Sequence, residues 1–247
     1  MPREEAESVD TDFFDRNAVR YGDVRPWFYD FYFIEFMKKN LIGHTLLDVG
    51  AGSGTFASLV KKCIPDMRVT AVDPSARLLS QLNDRSIRKV VGKLPDLSLN
   101  PADTFLFIHV KEVLHHLVGK TVNESRDTVT RSLLALKDHL NDSGFLMIHE
   151  LYWETYIVPS VSRTLTFYLL SICTKLHIRL PYREHLEGLL VCFYTTSELE
   201  NMLKDCGFVI VRSKQYPFSD TTFKRVLLLR RWGRMLYIVR KENNKQT

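Results

Sequence analysis

Asp48-Val49-Gly50-Ala51-Gly52-Ser53-Gly54 follows the apolar pair Leu46-Leu47 and precedes Thr55 to Lys62, where Phe56, Leu59 and Val60 recur at helical spacing. The stretch reads as a short buried strand, a glycine-rich turn and an amphipathic helix. Glycines let the chain turn tightly and let a ligand approach the backbone, and the start of a helix offers N–H groups to it. The pattern is acid-x-G-x-G-x-G. A nicotinamide or flavin fingerprint counted from Gly50 would end in Gly or Ala, where this chain has Thr55.

On either side the strand–helix alternation continues. Arg68 to Asp73 reads as a second strand and Ala76 to Asn83 as a helix. Val90-Val91-Gly92 is a brief third strand and Thr104 to Val110 an apolar fourth. Asp127 to Leu140 is helical, with Val129, Leu133, Leu136 and Leu140 at spacings of three and four. Asn141 to Gly144 ends it, and Phe145 to His149 is a fifth strand. Such alternation predicts an α/β fold, a doubly wound, mostly parallel sheet with helices on both faces, and a ligand beyond the carboxyl ends of the strands. After Glu150 the pattern breaks. Residues 151–194 read as an inserted helical lid with no strand of the same sheet. It resumes where Thr195-Thr196-Ser197-Glu198 offers a capping box for a helix over Glu198 to Cys206. Phe208 to Lys214 and Arg234 to Arg240 are further strands, the last a closing edge; Phe223 to Arg231 suits strand or helix.

The chain has 247 residues, 45% apolar and 26% charged, which is enough for a substantial core without metal or disulfide staples. Residues 1–12 read as a disordered acidic tail and 13–247 as one domain. Cys63, Cys173, Cys192 and Cys206 stand far apart, which argues against structural zinc and a disulfide framework and favours a reducing, cytoplasmic location. The apolar stretch Ile157 to Ile178 is broken by Arg163 and Lys175, short of the ~20 residues a bilayer span needs. A peripheral membrane contact stays open. The net charge of +5 combines the acidic start with a basic run, Lys224, Arg225, Arg230, Arg231, Arg234, Arg240 and Lys241. That run suits a solvated edge, an anionic-lipid contact or a nucleic-acid footprint.

The acid-x-G-x-G-x-G turn, Asp73 at the end of the second strand, His109-Val110-Lys111-Glu112-Val113-Leu114-His115-His116-Leu117 and the Leu140 to Glu150 segment together resemble the class I S-adenosylmethionine-dependent methyltransferases. Phe14 to Tyr21 is similar to the N-terminal segment of the ubiquinone and menaquinone C-methyltransferases, small-molecule enzymes in which it folds over the cofactor. The resemblance implies a seven-stranded Rossmann-like sheet and S-adenosyl-L-methionine as methyl donor. It implies Asp73 on the ribose hydroxyls, with Pro74 beside it, and Tyr21, Asp48, Gly50, Ala51, Gly52, Gly54, His109 and Val110 around the cofactor. One departure concerns adenine: the family often carries an acid after the third strand, whereas this chain has Gly92-Lys93-Leu94, and a lysine cannot accept the adenine amino hydrogen bond.

The reaction expected is in-line transfer of methyl to a small, apolar or lipid-like acceptor. His115, His149 and Glu150 are the candidates for a base. Glu112 either caps the helix that follows it or faces the pocket. No metal is expected, because His115 and His116 are adjacent and point about 100° apart on a helix. His116 equally suits a packing role, and Glu150 a structural salt bridge. The alternatives are an RNA methyltransferase, which lacks support from any Asn-Pro-Pro-Tyr type of motif, and a non-catalytic methyltransferase-like binding protein.

Overall fold

A computed structural model describes residues 13–16, 18, 26–156, 159–176, 189–219 and 229–242. The elements are α1 (Phe28–Lys39), β1 (Thr45–Val49), α2 (Thr55–Cys63), β2 (Arg68–Asp73), α3 (Ala76–Ser80), β3 (Arg88–Val91) and β4 (Phe105–Lys111). A 3-10 turn (Leu114–His116) precedes α4 (Val122–His139), β5 (Leu140–Thr155), α5 (Pro159–Lys175), α6 (Thr196–Asp205), β6 (Phe208–Pro217) and β7 (Leu229–Lys241). The seven strands form one sheet in the order β3-β2-β1-β4-β5-β7-β6. β1 pairs in parallel with β2 and β4, β2 with β3, while β6 and β7 are antiparallel. The fold is therefore the Rossmann-like α/β sheet expected.

Two compact units are present, Met1–Lys111 with Ala135–Met147, and Glu112–Leu134 with Ile148–Thr247. In the first, the chain passes from β3 at one side to β4 on the other side of β1, so the order reverses at the β1/β4 junction. That is the place where open α/β sheets bind ligands, beyond the carboxyl ends of the strands. β1 and β4 are almost wholly buried, as strands covered on both faces must be. Helix α2 turns Phe56, Ala57 and Val60 into the core.

Several boundaries differ from the sequence reading. Helix α4 starts at Val122 because Thr121 Oγ1 accepts the Glu124 N–H (3.1 Å) while Glu124 Oε2 accepts the Lys120 N–H (2.8 Å), an N-terminal signature present in the sequence but outside the periodic stretch. β5 begins at Leu140 and continues to Thr155, so Leu151, Tyr152 and Trp153 extend the sheet and the interruption starts later than Glu150. Tyr152 forms a parallel bridge with Tyr194. The capping box at Thr195 is present, with Thr195 Oγ1 accepting from Glu198 N (3.2 Å) and Glu198 Oε2 from Thr195 N (3.0 Å), and it opens α6 at Thr196.

The segment Arg234 to Arg240 is not an edge. β7 lies between β5 and β6, and the edge strand is β6. The physical reason is burial: Met235 to Val239 are fully buried, whereas most positions of β6 are exposed or half-buried. Two cations of the basic run are also tied down, Arg231 to Glu154 (2.8 Å) and Arg234 to Glu112 (3.1 Å), acids far away in sequence. Lys224 and Arg225 lie outside the described residues.

Candidate active site

The glycine-rich turn leaves β1 with φ of 68° at Gly50, 55° at Gly52 and 78° at Gly54, left-handed values that glycine adopts without strain. This geometry folds the turn back on β2. The N–H groups of Gly50 and Ala51 donate to Val72 O (2.8 and 3.1 Å), that of Gly54 to Ala51 O (2.8 Å), and that of Gly52 to Asp73 Oδ2 (2.8 Å). The donors of these four turn residues, which precede the start of α2, are engaged within the protein. What the turn offers instead is close approach. A Cβ built on Gly52 would meet no atom of the described residues within 4 Å, so its Cα is open on that side, whereas one on Gly54 would strike Leu82 at 2.6 Å.

Asp73 closes β2 with its carboxylate buried beside that open glycine. Each oxygen accepts one backbone N–H, Oδ2 from Gly52 and Oδ1 from Ser75 (2.8 Å), and a carboxylate oxygen has capacity for a second. Burial pushes its pKa up to about 6 against the pull of these two bonds, with Asp48 and Asp15 adding to the rise. Ser75 caps α3 through Oγ, which accepts from Leu78 N (3.0 Å) and donates to Asp15 Oδ1. The N-terminal segment thus reaches the end of β2; Tyr21 itself lies outside the described residues. Pro74 is half-buried between Asp73 and Ser75.

Asp48 and His109 face each other in register across β1 and β4, and Asp48 Oδ1 meets His109 Nδ1 at 2.8 Å. The His109 ring lies against Phe56 (3.6 Å, 25°) and edge-on to Phe33 (5.5 Å, 70°). Both side chains are almost completely buried, yet Asp48 Oδ2 and His109 Nε2 have no hydrogen-bond partner among the described residues. Orphaned polar atoms are costly, and their presence at the β1/β4 junction is what a polar ligand would relieve. Val110, next on β4, is fully buried. Nearby, Lys111 Nζ bonds both oxygens of Asp30 (2.9 and 3.1 Å), and Asp30 also accepts the Trp27 N–H (2.8 Å) at the start of α1.

In the second unit, Glu150 binds three donors. Oε1 takes His115 Nδ1 (2.5 Å) and the Leu151 N–H (2.8 Å), and Oε2 takes the Leu114 N–H (2.8 Å). The His115 ring stacks on Phe193 (5.3 Å), which stacks on Trp153 (4.2 Å). His149 and Glu150 are both fully buried, so neither of these adjacent residues is turned to solvent. Glu112 has φ of 52° and pairs with Arg234 instead of capping a helix. Desolvation pushes the Glu112 carboxyl up, but His149, Arg234 and His115 together outweigh it and hold it below the usual value. His116 is pushed well down by burial and by neighbouring His115, which keeps it neutral. Among the described residues no cluster of His, Cys, Asp and Glu could hold a metal ion.

A profile of the family described as "Methyltransferase domain" matches residues 29–213, three quarters of the sequence. The chain belongs to the methyltransferase domain family. No curated protein sequence matches it. Among solved structures, it is similar to the Burkholderia thailandensis 1,6-didemethyltoxoflavin-N1-methyltransferase with bound 1,6-didemethyltoxoflavin and S-adenosylhomocysteine (20% identity, TM-score 0.61, covering 98% of this chain and 91% of that one). It is also similar to the magnesium protoporphyrin IX methyltransferase of Synechocystis PCC 6803 with bound S-adenosylhomocysteine (16%, TM-score 0.60, 96% and 100%). A third similarity is to Haemonchus contortus phosphoethanolamine N-methyltransferase 2 (13%, TM-score 0.64, 94%), of which this chain spans 60%. At such identities the likeness is one of fold.

Within this methyltransferase domain, the structure brings Asp73 to Gly52 and Asp48 to His109 in one unit, and His115 to Glu150 in the other. The sequence reading missed Asp30 as the partner of Lys111, and Phe33 and Phe56 as the walls around His109. An aspartate in the first turn of α1 was a visible signal for capping. Nothing local marked its pairing with a lysine on β4.

Proposed function

We propose that the chain transfers a methyl group from S-adenosyl-L-methionine to a small, apolar or lipid-like acceptor, in the manner of the ubiquinone and menaquinone C-methyltransferases. The observation that carries the reading is the Asp73 carboxylate, buried at the end of β2 and bonded to a glycine whose Cα the described residues leave open on one side. The residues fit the cofactor. Asp73 has spare acceptor capacity for a vicinal diol, Gly52 leaves room for close approach, and Asp48 Oδ2 is a buried acceptor awaiting a donor. Gly50, Ala51 and Gly54 shape the turn, and Val110 and Pro74 flank the site. When bound, S-adenosylmethionine supplies a methyl group already activated on a sulfonium, so no side-chain nucleophile is required.

Of the base candidates, His115 is assigned the proton. Glu150 Oε1 fixes Nδ1, which leaves Nε2 as the basic atom, the arrangement of an oriented imidazole. Glu150, bonded to three donors, acts through His115 and is a positioning residue. An apolar acceptor suits the mostly apolar lining of the cleft among Trp153, Phe167, Leu170, Val191 and Phe193. The segment between β5 and α6 is proposed as the lid, and a peripheral membrane contact belongs to the same reading. The small molecules named for the similar structures, 1,6-didemethyltoxoflavin and magnesium protoporphyrin IX, support a small-molecule acceptor.

Calorimetry with S-adenosylhomocysteine tests the cofactor assignment. The intact protein is expected to bind, and Asp73→Ala to lose at least about tenfold in affinity, the loss of one charge-assisted contact. Absence of binding by the intact protein overturns the reading.

A further inference from the structure

Helix α5 is apolar on two sides. Phe167, Leu170 and Cys173 are buried, and Leu170 packs in a cluster with Leu151, Trp153, Val191, Phe193 and Leu229. That inner face is satisfied by its own core. The outer face is the anomaly. Leu165 (62% exposed), Tyr168 (46%), Leu169 (49%), Ile172 (53%) and Leu176 (64%), just past the helix end, are all open to solvent. At 3.6 residues per turn they fall within a stripe about 100° wide. From position 164 to 176, the one exposed residue that is not apolar is Lys175. A water-facing side of a surface helix is ordinarily polar, and contiguous exposed apolar surface marks an interaction site.

We propose that this stripe docks on an anionic lipid bilayer. The charge around it selects that occupant. Over residues 164–176 the one charged residue is the exposed Lys175, and no Asp or Glu occurs there; in the sequence Arg163 precedes this stretch and Arg179 follows it. An apolar helix face on a stretch whose one charge is a cation suits a helix lying in the interface of an acidic membrane. A second copy bound through the same face would instead bring like charges together. Helix α5 lies on the membrane and does not cross it, since no helix among the described residues is long and apolar enough to span one. Its inner residues Thr166, Phe167 and Leu170 line the cleft, so one helix presents a lipid-facing side and a cleft-facing side. The inference deepens the reading of an apolar acceptor and rests on it for its biological sense.

Flotation with vesicles of phosphatidylcholine and phosphatidylglycerol in equal parts tests the proposal without cofactor or acceptor. Calorimetric binding of S-adenosylhomocysteine by the same preparation keeps the cofactor reading separate. The intact protein is expected to float with these vesicles and far less with phosphatidylcholine alone. The double variant Leu169→Glu/Ile172→Glu, changed only at exposed positions, is expected to lose about tenfold or more of the bound fraction with an unchanged thermal melt. Lys175→Glu keeps the apolar stripe and is expected to weaken binding to the anionic vesicles alone. The proposal is overturned if the intact protein stays in the soluble fraction, if both vesicle types bind it equally, or if the double variant floats as well. It is also overturned if the intact protein is a dimer without lipid and the double variant a monomer, which would make a second copy the occupant.

Discussion

Replacing Asp73 by Ala should change stability by an amount that depends on pH in a calculable way. In the folded protein burial raises this carboxyl from the ordinary 3.8 to about 6. A group whose folded pKa is raised contributes stability that is fully present below the unfolded value and is lost as pH rises through the folded one; for Asp73 the window is 3.8 to about 6. The free energy opposing folding from its ionisation is about 1–2 kcal/mol at pH 5 and about 3 kcal/mol at pH 8, at ~1.4 kcal/mol per pKa unit. The Ala variant is relieved of this but strands the Gly52 and Ser75 N–H donors, at a cost of about 1–3 kcal/mol each. Those donors do not titrate, so their loss is the same at both pH values. Asp73→Ala should therefore destabilise the ligand-free protein by about 1–2 kcal/mol more at pH 5 than at pH 8. Urea unfolding of both proteins followed by circular dichroism at pH 5, 6, 7 and 8 measures this directly. A destabilisation constant across that range to within a few tenths of a kcal/mol, or larger at pH 8, would refute the assignment of Asp73 as a carboxyl whose ionisation opposes folding.

Gly52 and Gly54 should separate binding from folding. Gly54→Ala combines a left-handed φ with a Cβ 2.6 Å from buried Leu82 and is expected to cost about 2–3 kcal/mol in urea unfolding. Gly52→Ala meets none of the described residues and should cost only about 1 kcal/mol, yet weaken S-adenosylhomocysteine about ten- to hundredfold in calorimetry by filling the space above the turn. Equal effects of the two substitutions on binding would contradict the geometry. Glu150→Ala leaves His115 Nδ1 and the N–H groups of Leu114 and Leu151 without their acceptor and should destabilise by about 3–5 kcal/mol, with Glu150→Gln retaining part of this. A thermal melt that is nearly unchanged in Glu150→Ala would remove its positioning role.

Much of the fold could be read from contiguous residues. The Asp48 to Gly54 turn announced a strand before it and a helix after it, because only glycine takes three left-handed φ values so close together without strain. The alternating periods of two and three to four marked the parallel sheet, and Thr195 with Glu198 marked the start of α6. Asp48 and Asp73 were marked by the resemblance to the class I methyltransferases, which keep acids at these two places. What lay beyond the sequence were the pairings between distant residues. Asp48 with His109, Asp30 with Lys111, Glu150 with His115 and Glu112 with Arg234 join positions that no window of local pattern connects. Strand register and packing select those partners, and the same forces placed β7 inside the sheet and carried β5 on to Thr155. Periodicity reports which side of an element is apolar; which neighbour covers that side is set by the assembled sheet. The outer face of α5 is the informative exception, an apolar side that the protein's own described residues leave exposed.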